Sequence, residues 1–222
     1  MQPTRAQLHF APVLADLWQI AEKQGWATWV GAIEDLVAAS TILAWEEVPN
    51  RRGEENLSEL RPVTAQQAPS RSLSAVYGLG AQPLHTDGAH LRQPPDVVIL
   101  AAPQPNSTPT KLWKPQYPCE EFEHGLFTVD AGTDTFLATA YDMEVGRWRY
   151  DPGCMRPADE RAHTAIQTMN RAFDGSVTFE WSLPNQVLLI DNRAVLHARS
   201  EVADGDHDRV MVRAAFRLKR KP

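Results

Sequence analysis

The chain has 222 residues, 43% of them hydrophobic and 23% charged, and carries a formal net charge of −6. That length and mix suit one globular domain with a sizeable core, and the negative balance gives no general attraction to nucleic acid or an anionic membrane, so a small molecule is the expected partner. Two cysteines, Cys119 and Cys154, lack disulfide-framework and Cys-x-x-Cys spacing and suit a reducing cytoplasm, and with no run of about 18 apolar residues neither a signal peptide nor a membrane span is expected.

From Pro12 the residues Val13, Leu14, Leu17, Ile20 and Ala21 recur at helical spacing, and after Gly25 the residues Trp26, Trp29, Val30, Ile33, Leu36 and Val37 repeat the pattern. Two amphipathic helices are expected, their tryptophans packing on a sheet rather than stacking a ligand. The polar run Pro49–Asn56 reads as an exposed loop or lid. Leu73–Tyr77 reads as extended, and Gly78 and Gly80 would let the backbone bend close to a ligand. Val97–Ala102 is continuously apolar, as expected of a strand buried on both faces, and Pro103 to Pro109 should end it.

Phe127–Val129, Phe136–Ala140 and Trp148–Tyr150 are short strand candidates with no helix-length segment between them, which argues for an antiparallel barrel. One helix interrupts them, capped by Asp159, striped by Ala162, Ala165, Ile166, Met169, Ala172 and Phe173, and closed by Gly175; His163 lies off the stripe and should be solvated. Val177, Phe179 and Trp181 share a strand face, and a turn at Leu183–Gln186 leads back through Val187–Ile190 as a hairpin. In the last strand Val210, Val212, Ala214 and Phe216 alternate with Met211, Arg213, Ala215 and Arg217, with Arg209 on the arginine side. If the apolar face packs on the helices, the three arginines face the barrel mouth; a solvated edge is the other reading.

The chemistry concentrates in Gln82–His90. In an extended segment His85 and Asp87 point the same way with Thr86 opposite, which presents an imidazole and a carboxylate to one point. A histidine from a distant strand, for which His197 is the candidate and His90 and His207 the alternatives, would complete a two-histidine, one-carboxylate facial set. That set leaves half of an octahedral ion open and is diagnostic of non-haem iron(II) oxygenases. Isolated H-x-D pairs also occur in solvated turns, so the pattern gains weight from its surroundings.

Those surroundings are Pro83–Ala89, Asp191–Arg199 and Asp208–Arg213, and on these three motifs, in this order and spacing, the sequence resembles the taurine dioxygenase and clavaminate synthase-like family of Fe(II)/2-oxoglutarate-dependent dioxygenases. The resemblance implies a mainly β fold with flanking helices, a double-stranded β-helix or distorted cupin-like jelly roll, with 1–222 as one domain, 1–48 as helical support and about 70–218 as the jelly-roll core. It implies His85, Asp87 and His197 as metal ligands and catalytic centre, with Fe(II), 2-oxoglutarate and O2 as cofactor and cosubstrates. It also implies Arg209 as the fork onto the far carboxylate of 2-oxoglutarate, a pairing that calls for arginine rather than lysine. Arg213 matches a second arginine facing substrate or cosubstrate, and Thr110 is the best match to the family's cosubstrate threonine, although Asn106–Thr110 departs from the usual Gly-rich turn. A carboxylate at Asp87 implies hydroxylation or a related oxidation. Asp191 or Asn192 could orient the imidazoles, or simply make a turn, and Arg149 with Arg213 could bind a carboxylate-bearing substrate. Two rival readings are a non-catalytic cupin-like binding protein and a zinc-dependent hydrolase; the arginine row argues against both.

Overall fold

Helix α1 (Arg5–Gln24) starts at Thr4, whose side chain and backbone exchange hydrogen bonds with Gln7. It stops at Gly25, which has φ 109° and where a Cβ would lie 2.7 Å from Val195 Cγ2. The chain then leaves as a strand, β1 (Trp26–Val30), and only Ile33–Ser40 forms the second helix, α2. The helical spacing of Trp26, Trp29 and Val30 is therefore misleading, because β1 is taken up into a sheet by pairing along its whole length with residues 186–190. The computed structural model describes residues 3–49, 53, 55–70, 72–116 and 119–219.

The remaining elements are β2 (Glu46–Glu47), β3 (Ser58–Leu60), α3 (Leu73–Tyr77), β4 (Val97–Ala102), β5 (Asn106–Trp113), α4 (Glu120–His124), β6 (Leu126–Asp130), β7 (Thr135–Thr139), β8 (Tyr141–Asp142), β9 (Arg147–Trp148), β10 (Met155–Pro157), α5 (Glu160–Ala172), β11 (Val177–Trp181), β12 (Gln186–Asp191), β13 (Leu196–Arg199) and β14 (Met211–Arg217). Leu73–Tyr77 is helical, not extended, because Ser72 caps it by accepting from Ala75 N. The expected Asp159 cap of α5 is present, and His163 is exposed. In the polar run from Pro49, residues Asn50, Arg51, Arg52 and Glu54 lie outside the described residues. At its end Asn56 is buried, and its Oδ1 accepts from Ala215 N.

All strand pairings among the described residues are antiparallel, and they make the layers of a jelly roll. The major sheet runs β1-β12-β4-β14, with β2 and β3 both on the far edge of β14. The minor sheet runs β11-β5-β13 and is extended at one point by a bridge between His85 and His197. Strands β11 and β12 do not form the expected hairpin. Their turn carries the chain from the minor sheet to the major one. Strand β4 ends at Ala102 before Pro103, as expected, but β5 then runs through Pro109, and the β11 register slips between Phe179 and Trp181 opposite that proline, where the ladder lacks a donor.

Alternation along each strand sorts the cores. Val97, Ile99, Ala101, Val187, Leu189, Ala214 and Phe216 turn outward from the major sheet and pack under Leu14, Leu17, Ala21 and Leu36 of α1 and α2. Val98, Leu100, Leu188, Ile190, Met211 and Ala215 turn inward and meet Leu112 and Trp181 of the minor sheet. A third cluster of Leu84, Leu196 and Ala198 with Phe127, Trp148, Tyr150 and α5 covers the minor sheet from outside. Leu84, Leu196 and Ala198 alternate with His85, His197 and Arg199, so burying the first set aims the second at the space between the sheets.

Candidate metal centre

His85 and His197 are exchanged-bond partners across the bridge: His85 N donates to His197 O at 2.9 Å and His197 N to His85 O at 2.8 Å. Directly opposed residues in an antiparallel pair share a face, so two imidazoles far apart in sequence stand side by side, ring centroids 4.7 Å apart. Thr86, on the other face, is fully buried and exchanges bonds with Tyr150, whose N donates to Thr86 Oγ1 at 3.0 Å. Asp87 returns to the imidazole face. Its Oδ1 lies 3.6 Å from His85 Nε2 and 3.4 Å from His197 Nε2, and the three donors fall within 4.8 Å of one another.

A metal ion fits this set. Ligand bonds of about 2.1 Å at right angles put neighbouring donors ~3 Å apart, a little inside the 3.4 and 3.6 Å gaps between Asp87 Oδ1 and the two imidazoles. His85 Nδ1 sits 3.0 Å from Pro83 O, which fixes Nδ1–H as the donor and turns the Nε2 lone pair toward Asp87. His197 Nδ1 is buried without a hydrogen-bond partner. Burial pushes the His85 imidazole down, helped by His197, and so favours the neutral, ligating form. Burial would raise the Asp87 carboxyl, but Arg213 and the two histidines outweigh it and hold the group well below the usual carboxylate range.

Neither Asp191 nor Asn192 touches an imidazole. Both Asp191 oxygens are taken by Arg193, at 2.9 Å each. The Asn192 carboxamide instead clasps the Asp87 main chain: Oδ1 accepts from Asp87 N at 2.9 Å, and Nδ2 donates to Asp87 O and Pro95 O at 3.1 and 2.9 Å.

The three donors line one wall of a cavity of about 880 Å³, also lined by Thr110, Arg199, Arg209, Met211, Arg213, His90 and Asp151. Arg209 spends Nη1 on Asn106 Oδ1 and Thr108 O, keeps a buried Nε without a partner and makes no ion pair among the described residues. Burial and the like charge of Arg199 push its guanidinium down to about 10. Thr110 is buried, pairs in register with Arg199 and accepts from Trp181 Nε1 at 3.0 Å. Arg213 donates from Nε to Asp87 Oδ2 at 2.5 Å. Arg217, the third arginine of the row, leaves the cavity and bonds Gln93 O and Glu46.

Arg149 is not a ligand-binding group. Its guanidinium donates to the carbonyls of Ala89, Leu91 and Arg92 and braces the loop after Asp87. His207 is exposed and His90 lies on the cavity wall, and neither joins the three-donor cluster. Sequence reasoning passed over Arg199, although its place two residues after His197 in a strand puts it on the same face. Its Nη2 donates to Gly78 O and Gly80 O at 2.6 and 2.7 Å, so those glycines approach an arginine and not a ligand.

No family model and no curated protein matches the sequence. Solved structures do. An asparagine oxygenase in complex with Fe(II), 2S,3S-3-hydroxyasparagine and succinate superposes with a TM-score of 0.68 at 17% identity, covering 95% of this chain and 79% of that one. The non-haem iron oxygenase OrfP in complex with Fe and alpha-ketoglutaric acid gives 0.69 at 16% identity, covering 97% and 84%. The PvcB protein of Pseudomonas aeruginosa gives 0.64 at 15% identity, covering 93% and 82%. The chain thus shares the fold of these three proteins, two of which are oxygenases. No helix among the described residues is long and apolar enough to cross a membrane.

Proposed function

We propose that this protein is an Fe(II)/2-oxoglutarate-dependent dioxygenase that hydroxylates a small, carboxylate-bearing metabolite. The observation that carries the reading is the convergence, in one cavity, of an open-sided two-histidine, one-carboxylate donor set with Arg209, a half-buried guanidinium that makes no ion pair among the described residues. When bound, Fe(II) with O2 and 2-oxoglutarate supplies an oxidant for a substrate C–H bond, 2-oxoglutarate leaving as succinate and CO2.

The chain's own groups do the rest. His85, Asp87 and His197 would hold the ion from one side. Arg209, fixed by Asn106 and Thr108, would fork onto the far carboxylate of 2-oxoglutarate, with the Thr110 hydroxyl beside it. The substrate class rests on the structural neighbours solved in complex with hydroxylated amino acids.

Oxygen consumption and succinate release tested with single metabolites check the reading. Turnover requiring both Fe(II) and 2-oxoglutarate supports it. Zinc-supported ester cleavage that needs neither oxygen nor 2-oxoglutarate, or iron binding with no uncoupled decarboxylation at all, overturns it.

A further inference from the structure

The contact between Arg213 and Asp87 has no place in the ligand set just described. Asp87 offers Oδ1 to both imidazoles, while Oδ2 is taken by Arg213 Nε at 2.5 Å. The two partners differ in rigidity. Arg213 lies within β14, its backbone in register with Leu100 on one side and Ser58 on the other, and its side chain is only 8% exposed. Asp87 lies outside any strand at the start of a turn; its main chain is fixed by Asn192, its Oδ1 faces the two imidazoles at 3.4 and 3.6 Å, and its Oδ2 is held by Arg213 from the strand. A carboxylate free to rotate can give an ion both oxygens, and the second bond fills a coordination position.

We propose that Arg213 is a positioning residue for the carboxylate ligand: by holding Asp87 Oδ2 from a fixed strand, it keeps Asp87 a one-oxygen ligand and preserves an open position at the ion. The inference rests on the metal centre under the proposed function. It distinguishes two arginines that line one cavity. Arg209 makes no ion pair among the described residues and its Nε has no partner there, whereas Arg213 is already committed to Asp87 through one nitrogen. Its Nη1 is buried without a partner and stays in reserve.

Metal affinity alone does not test this, because removing a cation beside the ion and loosening its ligand act in opposite directions. The carboxylate vibrations do. Protein labelled with 13C-aspartate and loaded with Co(II) is compared by difference infrared spectroscopy with the metal-free form, the Asp87 bands being assigned by their loss in Asp87→Asn. A one-oxygen ligand shows a wide gap between asymmetric and symmetric stretches, and a two-oxygen ligand a narrow one. The gap is expected to be wide in the parent, to narrow in Arg213→Met, and to recover in Arg213→Lys, which keeps a donor for Oδ2. Should Arg213→Met not fold, Arg213→Leu, which also lacks a donor, makes the same comparison.

Nitric oxide, titrated without oxygen into the Fe(II) protein saturated with 2-oxoglutarate, reports the open position. Its affinity should fall about tenfold or more in Arg213→Met. An unchanged wide gap in that variant overturns the proposal, as does a loss of 2-oxoglutarate affinity with the gap intact, which would make Arg213 a direct cosubstrate ligand. If Co(II) leaves the parent's Asp87 bands unmoved, the metal-centre reading itself fails, a result separate from either.

Discussion

Asp87 carries the negative charge of the donor set, and four groups on three sides hold it: two imidazoles, the Arg213 guanidinium and the Asn192 carboxamide. Asp87→Ala should abolish measurable turnover and weaken Fe(II) binding, because no other carboxylate among the described residues joins the cluster; retained turnover in an oxygen-electrode assay would remove Asp87 from the set. Arg209→Ala should leave iron binding nearly intact while weakening 2-oxoglutarate by about 2–5 kcal/mol, with lysine restoring only part, since an ammonium has no fork. Anaerobic 2-oxoglutarate titration of the iron-loaded variants decides it. Asn192→Ala should cost about 1–3 kcal/mol in urea unfolding, because it strands the Asp87 amide and two carbonyls at a buried site.

Between residues and molecule stand the elements, and here the outcome depends on how long each pattern is. Strand β4, a six-residue apolar run, and helix α5, with its Asp159 cap and long stripe, are legible because one period or composition dominates over many positions. Strand β1 is five residues whose tryptophans, three apart, suggest a helix but lie on opposite faces of the strand, and only pairing with β12 decides it; α3 is one turn set by a serine cap. The hairpin fails for a different reason: a turn signal shows that the chain reverses, not that the reversed strands pair with each other. At the site, the His85 and Asp87 pair is readable because strand alternation is local, whereas His197 stands out through the resemblance at Asp191–Arg199. The Asp87–Arg213 and Asn192–Asp87 contacts are not readable, because they depend on how two sheets face one another. On the outer side of the major sheet, Leu14 of α1 is fully buried. Leu14→Ala should destabilise by about 2–5 kcal/mol in denaturant unfolding and leave the Michaelis constant for 2-oxoglutarate unchanged, since the helix layer and the cavity lie on opposite faces of that sheet.

For the molecule as a whole, the donor set bridges the H-x-D segment and β13, which among the described residues are joined by the His85–His197 bridge and by Gln82 N donating to Arg199 O. A bound ion therefore acts as a clasp between distant parts of the chain. Metal at about a hundred times its dissociation constant should add ~2.7 kcal/mol, raising the calorimetric melting temperature by roughly 5–10 °C for a chain of this size. A chelator should reverse the rise, and neither effect should occur in Asp87→Ala.

The placing of β14 bears on how the protein is made. This strand lies inside the major sheet, between β4 and the short β2 and β3, yet every one of those neighbours precedes it in sequence, and the Asp87–Arg213 contact closes a span of 126 residues. As the chain leaves the ribosome from its N-terminal end, β4 emerges with both of its edges unpaired and waits for β12 and then β14. During that interval an entirely apolar strand is open to other nascent chains, so its recruitment of a chaperone holdase should persist until β14 emerges and end when the sheet closes.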